Sequence, residues 1–571
     1  MHNSHYKLLV CLTMALLLFG FYCALKIGLF ADEPYHHKLG GLRYYYMITW
    51  GKSPYEWATT QWYPGLYDTI VFALCKLLDN FININYAVEI RHAINYLFSS
   101  FGLLGLFFVN RKIFNKELAI LSCILTLLNP IFFGHMGMNP KDPIIFTALI
   151  WTIYFFINYL ENLETSRFKY LVLMSLFIGF GTGVRFTFLA LMIPLFFIWF
   201  YVIFKKKINI LSIILDAFCA LIIIFSLAFL TWPQMHNGEF HLLLELINRS
   251  SNWLIPFKHG IVNGEFYEVQ NTPRTYILNI FLYRIPLYFS LLIIFSYVIV
   301  FIRIKFFIEN FNSNFIIFFS LLNFLLFFPL STMVITKTNL YDNARLFLFT
   351  MPFFATVASV GLFYIIIKLK EFNLLYKSFS FIVLVLLILS FYRFISLTPY
   401  QYVYTNYLST PKYAMGKNKF EHDYVYTSYS ELMKKIKEEF GTEETKKLKI
   451  RTCMNSIEWN KYNFRVFLNT KQTIAEDAEY IIMTNRNLRY KKMNCFQLFQ
   501  GKDIVSVKRL GLTLSTLRKI ESKEAREYMS HKWRLKNESW FKKQFEKHQE
   551  EQRLQQEEEQ KQKDQISNSI K

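Results

Sequence analysis

The sequence predicts an all-α polytopic membrane domain of about eleven transmembrane helices, followed by a small α/β domain and a charged tail. Three observations carry that fold class. Of the 571 residues, 53% are hydrophobic and 19% aromatic while only 18% are charged, and the mean hydropathy is +0.24. Apolar stretches of roughly 17 to 25 residues, the length that crosses a bilayer, recur from the N-terminus to position 397. Beyond 398 the apolar runs shorten and polar residues dominate. A soluble chain of this length would divide into several domains with more charged surface.

The spans are expected near 8–30, 91–110, 117–133, 143–160, 169–185, 186–204, 208–231, 277–302, 313–335, 345–367 and 377–397. The segment at 117–133 is short, and 169–204 admits a second parsing. The first apolar run is longer than a signal-peptide core of about 7 to 15 residues and has no A-x-A-like site before Asp32, so an uncleaved helix is expected. Lys and Arg collect in "RKIFNKE", "ENLETSRFK", "KKK", "RIKFFIENFNSN" and "KLKEFNLLYK". Those loops are then cytoplasmic, with the N-terminus, and the segments 31–90, 134–142, 232–276, 337–344 and everything after 398 lie outside. The net charge of +22 reads as topology and attraction to a membrane surface, with no basic patch of a nucleic-acid fold.

After 398, "YSELMKKIKEEFG" reads as a helix closed by glycine, and "KLKIRTC" and "AEYIIMT" as short strands. The expected organisation is a membrane domain at 1–398 with large outer loops 31–90 and 232–276, a small extracytoplasmic α/β domain at 399–525, and a helical or disordered tail at 526–571. Cys11, Cys23, Cys75, Cys123 and Cys219 belong to apolar segments, where a buried thiol is expected. Cys453 and Cys495 lie in polar sequence. A bond between them requires an oxidising compartment, and the sequence leaves both states open.

The unusual polar residues fall in the outer segments: Asp32 and Glu33, then Asn139, Lys141 and Asp142 in "GHMGMNPKDP", Arg185 in "GTGVRF", and Lys337, Tyr341, Asp342 and Arg345 in "KTNLYDNAR". Charges of both signs therefore converge on one membrane face. Asp142 before Pro143 has the form of a helix start, and Asp342 is suited to cap a helix near Ala344. Asp32 follows a helix C-terminus, where the helix dipole disfavours an anion, so a use for it is expected. "GFGTG" at 179–183 has no strand–helix context and reads as close helix packing. Asp216, inside a span, is expected either to pair with a neighbouring helix or to mark a proton path. His36, His37, His92, His135, His236, His241 and His259 lack metal-ligand spacing.

The "DE" after the first helix, the aromatic loop "YYYMITW…SPYEWATTQWYPGLYD", "HMGMNPKDP" and "YDNARLFLFTMPF" together resemble the GT-C superfamily of polytopic glycosyltransferases, in particular the protein O-mannosyltransferase and lipid A aminoarabinose transferase branch and bacterial family-39-type proteins. The resemblance covers roughly residues 1 to 425. It implies a polyprenyl-phosphate sugar donor, a lipid, glycan or protein acceptor outside the cytoplasm of a bacterial inner membrane, and transfer with inversion. It implies Asp32 as general base supported by Glu33, with Arg345, Lys337, Arg185 and Lys141 as cations for the donor phosphate. Asn139, Asp142, Tyr341 and Asp342 would position these groups or the sugar. Some relatives use a divalent metal, and no ligand cluster is evident in this sequence. Two other classes stay open: a secondary transporter, which would show interrupted helices and an internal repeat, and a non-catalytic membrane assembly protein that binds a partner through its C-terminal domain.

Overall fold

The computed structural model describes residues 3–55, 62–79, 81, 87–206, 209–249, 259–311, 315–369, 374–409, 419–453, 468, 477–486 and 492–521. The tail expected at 526–571 lies outside the described residues. Among the described residues nine helices are long and apolar enough to cross a membrane, or eleven spans if each of two bent helix pairs counts as one. Helices Asp142–Glu161 and Met351–Lys368 are buried along most of their length. Helices His5–Lys26, Ile210–Phe229 and Leu374–Ser396 bury only 22%, 11% and 11% of their apolar windows. That division separates a central core from rim helices whose outer faces suit lipid.

Two expected spans are broken, not straight. Residues 277–302 form Tyr276–Arg284 and Leu287–Ile302, bent by 114°. Pro286 lacks an N–H and pushes Ile285 into extended backbone, which ends the first helix. Buried Arg284 fixes the corner by donating to the Tyr402 carbonyl at 2.9 Å. The second break, of 75°, separates Lys116–Leu127 from Pro130–Met138. There Asn129 caps the new helix, its side chain accepting from the Phe132 N–H at 3.2 Å.

The first long connection contains two helices, Glu33–Ile48 and Leu66–Leu78, packed against each other. Gly40 makes that packing possible, because a side chain there would collide with the backbone of Asp68. A hairpin of β1 (His259–Val262) and β2 (Glu265–Glu268) follows the sixth and seventh apolar helices.

Past the last span, helix Tyr429–Phe440 ends at Gly441 with φ +77°, where glycine alone avoids strain. Strands β3 (Ile450–Thr452), β4 (Tyr480–Thr484), β5 (Asp503–Arg509) and β6 (Leu512–Lys519) form one sheet in the order β3-β4-β6-β5. The β3/β4 pair is parallel and the others antiparallel. Leu510 and Gly511, both with positive φ, turn β5 into β6, the two-residue geometry that matches strand twist. A disulfide joins Cys453 to Cys495. This sheet region shares a hydrophobic core with Leu29, Phe30, Tyr402 and Tyr424 at the end of the helical bundle, and Ala31 N–H donates to the Val425 carbonyl at 3.1 Å. It therefore packs on the face of the bundle that carries Asp32.

Candidate active site

Asp32 does not follow a helix C-terminus. The first span ends at Lys26, and Asp32 occupies the N-cap position of helix Glu33–Ile48, with Pro34 in its first turn. The positive end of that helix favours an anion, so the helix dipole stabilises Asp32, contrary to the sequence expectation. The Asp32 side chain makes no capping bond. It turns instead to Arg345, accepting from Nη2 at 2.5 Å, and remains 43% exposed.

Arg345 is the hub of the site. Only 12% exposed, it donates through Nη1 to Asp342 at 3.0 Å and has Nε 3.6 Å from Asp142, and its guanidinium lies 4.7 Å from the Phe30 ring centroid. Three carboxylates thus surround one planar fork, an arrangement suited to Arg and not to Lys. Asp142, at the start of its helix, also accepts from Asn139 Nδ2 at 2.8 Å and lies 3.4 Å from Arg185. Neither Asp142 nor Asp342 acts as the helix cap suggested by its sequence context. The Asn139 side chain takes the N–H groups of Lys141 and Asp142 instead, and the Asp342 carboxylate is given to arginines.

Lys141 is buried with its Nζ 3.8 Å from the Tyr63 ring centroid. Burial pulls its pKa down to about 8, with Asp68 and Asp32 opposing and Arg185 and Arg345 adding to the effect. Arg43 sets the position of Tyr63 by donating to its carbonyl at 2.5 Å. For Asp32, burial pushes the carboxyl up, but the guanidinium of Arg345, then His36 and Lys141, outweigh it and hold the group below the usual range. Asp32 is therefore ionised at neutral pH.

The other sequence candidates divide. Glu33 is buried and accepts from Phe30 N–H at 2.8 Å and faces His92 at 3.0 Å and Arg91 at 3.5 Å. These contacts fix the bend between the first span and the next helix, and they turn Glu33 away from Arg345. Burial raises its pKa, while His92, Arg91 and the Phe30 N–H bring it below the ordinary value. Tyr341 lies within the electrostatic reach of Arg345, Asp342 and Asp32. Lys337 is exposed, has φ +51°, and makes no ion pair with these carboxylates among the described residues.

Several members of the site were not singled out from sequence. Arg486, in the segment after β4, donates to Asp342 at 2.6 Å and to the Tyr424 carbonyl at 2.6 Å, and lies 3.5 Å from Glu421. His36 pairs with Asp68 at 3.1 Å. His135 hydrogen-bonds the Tyr424 hydroxyl at 2.8 Å and Asn139 at 3.3 Å, linking the bent helix to the C-terminal region. Elsewhere, Asp216 accepts from Tyr159 at 2.8 Å and pairs with Arg167 at 3.0 Å. Gly179 of "GFGTG" lies against the backbone of Ile224, the close helix packing expected of it. Among the described residues no group of three or more His, Cys, Asp or Glu side chains is arranged to hold a metal ion.

No curated protein matches the chain significantly by sequence. Among solved structures, ArnT from Cupriavidus metallidurans in the apo state is similar at a TM-score of 0.47 and 10% identity, over 89% of this chain and 97% of that one. The same protein bound to undecaprenyl phosphate gives 0.46 and 8%, over 92% and 99%. The Archaeoglobus fulgidus oligosaccharyltransferase tethered to an acceptor peptide gives 0.42 and 10%, over 83% and 69%. Residues 88–232, which carry His135, Asn139, Lys141, Asp142 and Arg185, match the family model for dolichyl-phosphate-mannose-protein mannosyltransferases.

Proposed function

We propose that this chain transfers a sugar from a polyprenyl-phosphate donor to an extracytoplasmic acceptor with inversion, using Asp32 as the general base. The observation that carries the reading is the Asp32–Arg345 pair: a partly exposed carboxylate held on the fork of a buried arginine at the end of a membrane helix bundle. An arriving donor phosphate competes with Asp32 for Arg345, and Arg185 and Lys141 supply further positive charge beside it. The phosphate thereby frees the carboxylate. Asp32 then takes the proton of the acceptor hydroxyl while that oxygen bonds to the anomeric carbon, and the carbon–oxygen bond to phosphate breaks with its electron pair leaving on the phosphate. Attack opposite the leaving group inverts the configuration. Asn139, Asp142, Asp342 and Tyr341 hold the cations and sugar in place.

In this reading the N-terminus is cytoplasmic, and the loop 31–90 and the region 399–525 are extracytoplasmic. The basic inner loops and the Cys453–Cys495 disulfide support that orientation. Glu33 supports the site indirectly, by fixing the backbone before Asp32. Lys337 has no structural support as a phosphate ligand.

The test is transfer of labelled hexose or pentose from polyprenyl phosphate by purified wild-type and Asp32→Asn protein, with donor binding measured separately. Asn keeps the size of Asp and cannot accept the proton, so transfer falls by about 10²-fold or more while donor binding persists. Near-normal transfer by Asp32→Asn removes Asp32 as the base.

A further inference from the structure

The proposed reaction leaves a proton on Asp32, and the exposed 43% of that side chain is the face an acceptor must occupy. A proton leaving by that face has to pass the substrates. Behind Asp32 the protein offers another route. Asp32 is the N-cap of helix Glu33–Ile48, and the His36 N–H donates to its backbone carbonyl at 3.0 Å, so the imidazole stands one turn along the same helix. Among the side chains that act electrostatically on Asp32, His36 follows Arg345 directly.

His36 is buried, and Asp68 of helix Leu66–Leu78 fixes its tautomer. The Nδ1 atom lies 3.1 Å from Asp68 Oδ2. Burial pushes the Asp68 carboxyl up, but His36, Lys141 and Arg43 outweigh it and hold the group below the usual range, so it is ionised. An ionised carboxylate only accepts. In the neutral imidazole Nδ1 therefore carries the hydrogen, and Nε2 keeps a lone pair. A proton arriving at Nε2 makes an imidazolium that the Asp68 carboxylate stabilises.

The same imidazole lines a small, partly open cavity with Glu33, His37, Asp68, Arg91 and Asn95. Its volume of about 20 Å³ holds one water. Three buried atoms in its lining residues, Glu33 Oε1, His37 Nδ1 and Arg91 Nε, make no hydrogen bond among the described residues. A water in this cavity has the polar partners it requires.

We infer that His36 relays the proton of the reaction from Asp32 to water in this cavity, with Asp68 as a positioning residue; the inference rests on the proposed role of Asp32. The protonated Asp32 gives its proton to the Nε2 lone pair and returns to carboxylate. The imidazolium then releases that proton from Nε2 to the cavity water, which passes it to bulk solvent, and His36 is neutral again. Transfer from acid to imidazole runs downhill, since ordinary carboxylic acids and imidazoles have pKa values of roughly 3.9 and 6.5. Asp32 is thus reset while products still cover its exposed face.

The experiment separates one turnover from many. It uses the full-length protein in detergent, labelled hexose or pentose polyprenyl phosphate as donor, and membrane extract of cells lacking the protein as the source of acceptor. With enzyme in saturating excess over donor each site transfers once, and His36→Gln should match wild type within about twofold, because Asp32 starts ionised. With donor in excess its steady rate should fall about 10-fold or more, as expected when a proton-transfer group is lost. Asp68→Asn keeps the imidazole, removes the charge that stabilises its protonated form, and should show the same split. Gln retains an N–H for Asp68, and monodispersity with an intact disulfide checks that each variant is folded. An equal fall in both regimes, or an unchanged steady rate in both variants, overturns the relay. Asp32→Asn should lose transfer in both regimes; if it transfers normally in both, the proposed base itself fails, and the relayed proton with it.

Discussion

Replacing Arg345 by lysine separates its two jobs, because the charge stays and the fork goes. In the native protein the guanidinium meets Asp32 at 2.5 Å, Asp342 at 3.0 Å and Asp142 at 3.6 Å. A single ammonium cannot span all three. The inner carboxylates still keep partners, since Asp342 retains Arg486 at 2.6 Å and Asp142 retains Asn139 at 2.8 Å and Arg185 at 3.4 Å. Asp32, 43% exposed, can be hydrated. Breaking a buried pair outright costs roughly 3–5 kcal/mol. With charge retained and each inner carboxylate still paired, the loss in Arg345→Lys should be about 1–2 kcal/mol. Removing a preorganised charged donor from a reacting site costs about 10²–10³ in rate. The expected result is therefore a folded, membrane-inserted protein with transfer reduced about 10²-fold or more. The assay is labelled-sugar transfer alongside urea or thermal unfolding in detergent. Transfer within about threefold of wild type would refute the assignment of Arg345 to the donor phosphate, because the rate effect worked out above is at least tenfold larger. A stability loss above about 4 kcal/mol would show that Asp142 and Asp342 depend on Arg345 alone.

Other outcomes follow from the same geometry. Lys141, with its pKa lowered to about 8, is protonated and phosphate-binding below that pH, so donor affinity should be flat to about pH 8 and then fall by up to tenfold per pH unit; a flat titration to pH 10 in equilibrium binding would remove Lys141 from the donor site. Asp32 stays ionised until well below neutrality because its pKa is depressed, with Arg345 the main opponent of burial. In Arg345→Ala that opposition is lost, so the acidic limb of the residual pH–rate profile should move to higher pH. Arg486→Gln leaves Asp342 and Glu421, both nearly buried, short of a cation and should cost roughly 3 kcal/mol, read by chemical unfolding. Cys495→Ser opens a 42-residue separation and should cost up to about 4 kcal/mol by loop entropy, with reductant reproducing the loss in wild type.

The spans were legible because a helix in lipid must satisfy every backbone group internally and cover itself with apolar side chains, a constraint written in runs of twenty residues. The bends were partly legible too. "YRIPLY" places a proline after an arginine inside an apolar stretch, and that pairing marks a break. The start of helix Glu33–Ile48 carried its own signal, since Asp32 followed by Pro34 places a proline in the first turn after an N-cap residue. Convergence of Asp32, Asp142, Asp342, Arg185 and Arg345 followed from topology, which gathers helix ends on one face. Arg486 was out of reach by that route. It stands 144 residues from its carboxylate partner, in sequence whose local pattern reports only a short strand. Likewise nothing local joins His36 to Asp68 or lays Lys141 on Tyr63; those contacts belong to the packing of two loop helices.

The reach of Arg486 into the helical bundle also orders events in time. Every span is complete once the ribosome has passed Ser396, yet Asp342 still lacks one of its two arginines, and the backbone carbonyl of Arg486 is itself held by the N–H of disulfide-bonded Cys495 at 3.0 Å. A nascent or truncated chain can therefore be fully inserted and still carry an unfinished cluster of carboxylates. On the proposed function, a chain whose last sheet had not yet folded would offer a lipid-linked sugar no complete centre.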